Sequence, residues 1–132
     1  MALAQQTDGI ESVATGYSVD EAVERLKHLL ESKGAKTFAV IDHSGEAEKA
    51  GLAMPNTKLI IFGNPKAGTA VMLAAPLSAI DLPLKILVWQ DTGGNVWISY
   101  TRPEFLQQRY KLPNAVMAPL AAVAALAASA GK

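Results

Sequence analysis

The hydrophobic pattern switches between two periods, and the switches outline the elements. Ile10 to Tyr17 alternates loosely, as a strand buried on one face does. Apolar positions then fall at Val19, Ala22, Val23, Leu26, Leu29 and Leu30, the spacing of an amphipathic helix with one buried face. Ser18 and Glu21 stand where a capping box needs them. The serine hydroxyl can accept from the Glu21 N–H while the Glu21 carboxylate reaches back. Lys33-Gly34 closes the helix with a cation and a residue free to adopt positive φ.

Thr37 to Ile41 is a short β-prone run ending in Asp42-His43, and Gly45 to Gly51 suits a helical turn. Met54-Pro55-Asn56 breaks the chain before the strand Thr57 to Phe62. A glycine turn from Gly63 to Gly68 then leads to a short helix expected over Thr69 to Ala75, stopped by Pro76. Leu84 to Gln90 and Val96 to Tyr100 flank Asp91-Thr92-Gly93-Gly94-Asn95, a hairpin with residues suited to positive φ. Arg102 to Tyr110 and Asn114 to Ala130 close the chain as helices, with Pro119 either kinking the last one or marking its true start. Val116, Leu120 and Val123 share one stripe of that alanine-rich helix.

The expected class is α+β: one domain over residues 10–132, with a mostly antiparallel or mixed sheet of about five strands and helices inserted and packed on it. Residues 1–9 read as a flexible N-terminal segment. Composition narrows the function classes more than it names one. At 132 residues the chain can bury a core without staples. Twelve basic residues balance twelve acidic ones without clustering, which argues against a nucleic-acid partner held by phosphate charge. The absence of cysteine removes disulfides, thiol catalysis and thiolate-bound metals. Leu112 to Ala130 is uncharged but alanine-rich and twice interrupted by proline, too weakly apolar for a membrane span. The expected location is cytoplasmic. Ala2-Leu3-Ala4 has the small-x-small form of a cleavage site, and the alternative is periplasmic or secreted if it is the remnant of a removed signal.

Several ordered phrases resemble one family. They are Val40-Ile41-Asp42-His43, Ile61-Phe62-Gly63-Asn64-Pro65-Lys66-Ala67-Gly68-Thr69 and Ala79-Ile80-Asp81-Leu82-Pro83-Leu84-Lys85. Val88-Trp89-Gln90-Asp91 and Val96-Trp97-Ile98-Ser99-Tyr100 complete the set. Together they are similar to the domain of unknown function 302 family, from about Ile10 to Ala130. Gln90 departs from the pattern, standing where an acidic residue is expected. The resemblance implies a small α+β fold of bacteria and archaea and a homodimer; it implies no established activity.

Candidate chemistry concentrates in these phrases. Gly63-x4-Gly68-Thr69 looks like a phosphate loop, but Lys66 precedes Gly68 and Thr69 occupies the place of the required lysine, which argues against nucleotide hydrolysis. N–H groups near Gly68 and Thr69, assisted by Lys66, suit a weaker role in holding an anion. The competing reading is a tight connection with Thr69 capping the helix. His43 can serve as general base or hydrogen-bonded turn residue. With one other histidine and no ligand spacing, no metal and no cofactor is expected. Asp81 lies in an apolar setting and needs a partner, Lys85 or the N–H groups of the Leu82-Pro83 bend. Trp89, Trp97 and Tyr100 suit a core or dimer interface, and Met54, Met72 and Met117 suit core filling.

The leading functional expectation is a non-catalytic homodimeric module that binds or senses a small anionic ligand. Its site is a polar cleft of His43, Asn64, Lys66, Thr69, Asp81 and Lys85. The rival is an enzyme with His43 as general base and Lys66 or Lys85 stabilising negative charge. A purely structural or protein-interaction dimer is the third reading.

Overall fold

The computed structural model describes residues 7–132. Its elements are β1 (Ile10–Thr15), α1 (Val19–Ser32), β2 (Lys36–Asp42), α2 (His43–Lys49), β3 (Thr57–Gly63), α3 (Pro65–Ala74), β4 (Leu84–Gln90), β5 (Val96–Thr101), α4 (Pro103–Tyr110) and α5 (Ala118–Gly131). One-turn 3₁₀ helices at Pro76–Ile80 and Asn114–Val116 precede β4 and α5. The sheet runs β1-β5-β4-β3-β2 and every neighbouring pair is antiparallel. The class is α+β, as the pattern predicts, with no parallel pair in the sheet.

Alternation sends the strands' side chains to two unlike faces. On the first, Ile60, Ile86, Val88 and Ile98 are fully buried against Leu26 and Leu30 of α1 and Val123 and Ala127 of α5. This face and its two helices form the core. The second face carries Leu59, Ile61, Leu87, Trp89, Trp97 and Ser99, and neither α1 nor α5 covers it. Leu59, Ile61, Leu87 and Trp89 are half-buried there.

Two helix starts, those of α2 and α3, differ from the expected ones for a common reason: an Asx side chain caps each. The Ser18–Glu21 capping box forms as expected. Asp42 accepts from the Gly45 N–H at 2.9 Å, so α2 begins at His43, before the expected Gly45. Asn64 accepts from the N–H groups of Lys66 (3.0 Å) and Ala67 (3.3 Å), and Pro65 takes the first helical position. The expected glycine turn is therefore the first turn of α3. Thr69 is not its cap; its hydroxyl donates to the Pro65 carbonyl at 2.7 Å.

At the C-terminal end, Pro119 lies in the first turn of α5 and marks its start. Met54 is 43% exposed on the α2–β3 connection rather than in the core. Residues 1–6, with the Ala2-Leu3-Ala4 triplet and most of the expected flexible segment, lie outside the described residues. Thr7 to Gly9 form a turn fastened to the domain, where the Arg102 N–H donates to the Gly9 carbonyl at 2.7 Å.

Candidate functional site

The β2–β3 register decides which candidate residues can meet. Asp42 pairs with Lys58 at one end of this hairpin and Lys36 pairs with Gly63 at the other. His43 follows Asp42 and Asn64 follows Gly63, so they leave the sheet at opposite ends, about 20 Å apart at roughly 3.3 Å per residue. The single polar cleft expected from the sequence is thus divided. His43 stands at one end and Asn64, Lys66 and Thr69 at the other, the end where Leu84-Lys85 pair with Phe62 and Ile61; Asp81, just before them, is held by α4.

At the His43 end the polar groups satisfy one another. The Ser44 hydroxyl lies 2.7 Å from Asp42 Oδ1 and accepts from the Thr57 N–H at 3.0 Å. Lys58 Nζ sits 2.8 Å from Asp20 Oδ1, which also accepts from Asn56. The Lys58 ammonium holds the Asp20 carboxyl below its usual range, and Asp20 raises Lys58 in return. The Ser44 hydroxyl, and then the Gly45 N–H, lower Asp42. His43 itself is exposed, and among the described residues its ring makes no hydrogen bond. A general base needs an orienting partner and a cleft, and the geometry supplies neither.

Asp81 draws its partners from α4, not from the Lys85 ammonium or the Leu82-Pro83 bend, the two expectations. Its carboxylate accepts from the Tyr110 hydroxyl and lies 3.4 Å from Arg109 Nη1. That hydrogen bond to Asp81 pushes the Tyr110 phenol up from its ordinary value. Lys85 Nζ instead donates to the carbonyls of Pro83 (2.9 Å) and Asp81 (3.4 Å), bracing the bend from the outside. The physical reason is exposure: the Asp81 side chain is 31% accessible at the end of a 3₁₀ turn, within reach of α4.

The Asn64 end opens on a cavity of about 470 Å³. Phe38 and Phe62 of the sheet, Met72 of α3, Leu84 of β4, and Leu120 and Leu126 of α5 form its apolar walls. Asn64 and Thr69 line it among the expected residues; Lys66, in the same turn of α3, is exposed and is not among the lining residues. Lys33, the C-cap of α1, is the only titratable side chain in the lining. Lys36 stands 5.2 Å above the Phe38 ring. The N–H groups proposed for an anion are engaged inside α3: Gly68 donates to the Asn64 carbonyl at 2.8 Å, and Asn64 occupies those of Lys66 and Ala67. The cavity-forming residues were not singled out from the sequence, because each has the local pattern of a core position. Only their convergence from five elements makes a site.

The tryptophans oppose each other directly on β4 and β5. Trp89 Nε1 donates to Ser99 Oγ at 2.9 Å, and Ser99 bonds Ser12 across the sheet at 2.7 Å. Trp97 Nε1 donates to Asp91 Oδ2 at 3.0 Å, the largest cause of a lowered Asp91 carboxyl. Among the described residues no group of three His, Asp or Glu side chains is placed to hold a metal ion, and no helix is long and apolar enough to cross a membrane.

Comparison with known proteins bears on this architecture. The family described as "Domain of unknown function DUF302" matches residues 11–129. The crystal structure of an uncharacterized conserved DUF302 protein from Bacillus stearothermophilus superposes with a TM-score of 0.77. It covers 95% of this chain and 97% of that one, at 20% sequence identity, a likeness of fold alone. The chain is also 40% identical over 104 residues to proteins named "Fluoride-specific ion channel FluC 1" of Brucella suis and "Fluoride-specific ion channel FluC 2" of Brucella melitensis. Those alignments take in 79% of this chain but 41% and 38% of the relatives, so the chain spans about two fifths of their length.

Proposed function

The chain belongs to the DUF302 family, and on that premise we propose that it is a non-catalytic binding module for an amphipathic anion. The cavity at the Asn64 end carries this reading. Its volume of about 470 Å³ falls in the range of small-molecule sites. Its walls suit an apolar body. Its cations, Lys33 in the lining and Lys36 over the lining Phe38 ring, suit a carboxylate or similar group at the mouth, and among the described residues no acid lines the space to oppose it. Because Asn64 consumes the first N–H groups of α3, recognition of charge falls to the ammonium groups. A lining whose only titratable side chain is Lys33 offers no acid–base pair, which favours binding over turnover.

The test is a thermal-shift series with straight-chain carboxylates of increasing length. A ligand at about 100 times its Kd adds about 2.7 kcal/mol of stability, a shift of several degrees. The shift should grow with chain length until the cavity is full, vanish in Met72→Trp, and weaken in Lys33→Ala. A flat response at every length would sink the proposal.

We also propose that the module works as a homodimer through the second sheet face, where Leu87 and Trp89 are half-buried and neither α1 nor α5 packs. Leu87→Lys should convert it to a monomer in sedimentation; an unchanged mass would place any self-association elsewhere. On this reading the fluoride channel in the relatives' names belongs to the part of those longer proteins that the shared segment does not cover.

A further inference from the structure

Among the described residues, the three most exposed large apolar side chains fall on one short stretch that neither the cavity nor the second sheet face uses. Leu73 at the end of α3, and Leu77 and Ile80 of the following 3₁₀ helix, are 79%, 71% and 72% exposed. Ala70, Ala74 and Ala79 of the same stretch are also exposed. From Pro65 to Ile80 the only charged residue is Lys66. At the far end, Lys85 donates to the Asp81 carbonyl and Arg109 lies against the Asp81 carboxylate, so two further cations are held beside the residue that follows Ile80. Asp81, the carboxylate at this edge, is already engaged by Tyr110 and Arg109.

We propose that this stretch docks the protein onto an anionic lipid surface, with Leu73, Leu77 and Ile80 entering the headgroup–acyl boundary and Lys66, Lys85 and Arg109 facing the headgroups. Large apolar side chains exposed by more than two thirds of their surface need an apolar layer to enter, and a bilayer interface supplies that. The rim of cations matches anionic headgroups and gives the surface its sign. This inference does not depend on a ligand in the cavity.

Flotation with vesicles tests it directly, comparing phosphatidylcholine alone with an equal mixture of phosphatidylcholine and phosphatidylglycerol. The protein should partition at least tenfold better onto the anionic vesicles. Binding should fall as salt rises from about 0.01 M to about 0.15 M, since the screening length shrinks from roughly 30 Å to roughly 8 Å. The double variant Leu73→Ser/Leu77→Ser should lose at least tenfold, with an unchanged circular dichroism spectrum because both side chains are exposed. Leu52→Ser, equally exposed on the α2–β3 connection, should bind as the parent does. Absence of flotation, equal binding to the neutral vesicles, or an equal loss in Leu52→Ser would each overturn the proposal. A double variant that changes only the oligomeric mass, with vesicle binding intact, would overturn it too and assign the patch to a protein contact.

Discussion

The two ends of the β2–β3 hairpin begin with the same local chemistry and finish differently. At each end a strand runs into a helix through an Asx cap, Asp42 for α2 and Asn64 for α3. Beyond Asp42 the neighbours are Ser44, Asn56, Lys58 and Asp20, and they close into a network of hydrogen bonds and an ion pair. Beyond Asn64 the neighbours are mostly apolar and arrive from β2, β4, α3 and α5, and they stop short of filling the space between them. A cap is a local device, settled within four residues. Whether it opens on a site depends on elements far away in the chain.

The largest test of this contrast is at the cavity wall. Leu126 is buried in the core on one side and borders the cavity on the other. Leu126→Ala should cost about 2–5 kcal/mol in chemical denaturation, as buried leucines do when the surroundings relax only partly. A cost well under about 1 kcal/mol would mean that the walls collapse readily, and a preformed site would lose its support. Next in size is the cap itself. Asn64→Ala should cost about 1 kcal/mol, because two N–H groups of α3 lose their partner. If that variant also binds carboxylates more tightly through the freed N–H groups, the anion role expected of this turn reappears as one the native asparagine suppresses.

How much of this was legible follows the same division. The period of Val19 to Leu30, the Ser18–Glu21 box and the Asp91–Asn95 turn each lie within a few residues, and all three stand in the structure as read. The start of α3 lies several residues before the expected Thr69, because glycine at 63 and 68 suggests a loop, whereas Asn64-Pro65 is a strong start signal. For Asp81 the sequence offers only near partners, Lys85 or the N–H groups of the Leu82-Pro83 bend, whereas Arg109 and Tyr110 lie nearly thirty residues away on α4. His43 and Lys66 were joined in one cleft because strand ends attract side chains to clefts. The sequence does not say which end of a sheet an end belongs to; the register does. The cavity was invisible for a simpler reason, since an apolar wall and an apolar core have the same composition.

The smallest expected effect separates the ends by pH. Asp20 and Asp42 are both held below their ordinary value of 3.8 in the folded protein, by Lys58 and by the Ser44 hydroxyl respectively. A depressed carboxyl contributes stability that is present above its unfolded value and lost as pH falls through the folded one. Lys58 is raised above 10.5, so its contribution is complete below that value and is lost as pH rises through the folded one. The Asp20–Lys58 pair is largely exposed at its acid end, so it should be worth under about 1 kcal/mol. The cavity end has no lining carboxylate to titrate. Lowering the pH from about 6 to about 3 should therefore reduce hydrogen-exchange protection of residues 43–49 relative to 65–74, after correction for intrinsic rates. Asp20→Asn should remove part of that difference, and Lys58→Met should remove the same part together with the alkaline loss. Equal acid sensitivity of the two helices would mean that the network around Ser44 adds nothing to local stability, and that the ends differ only in whether a space is left between their neighbours.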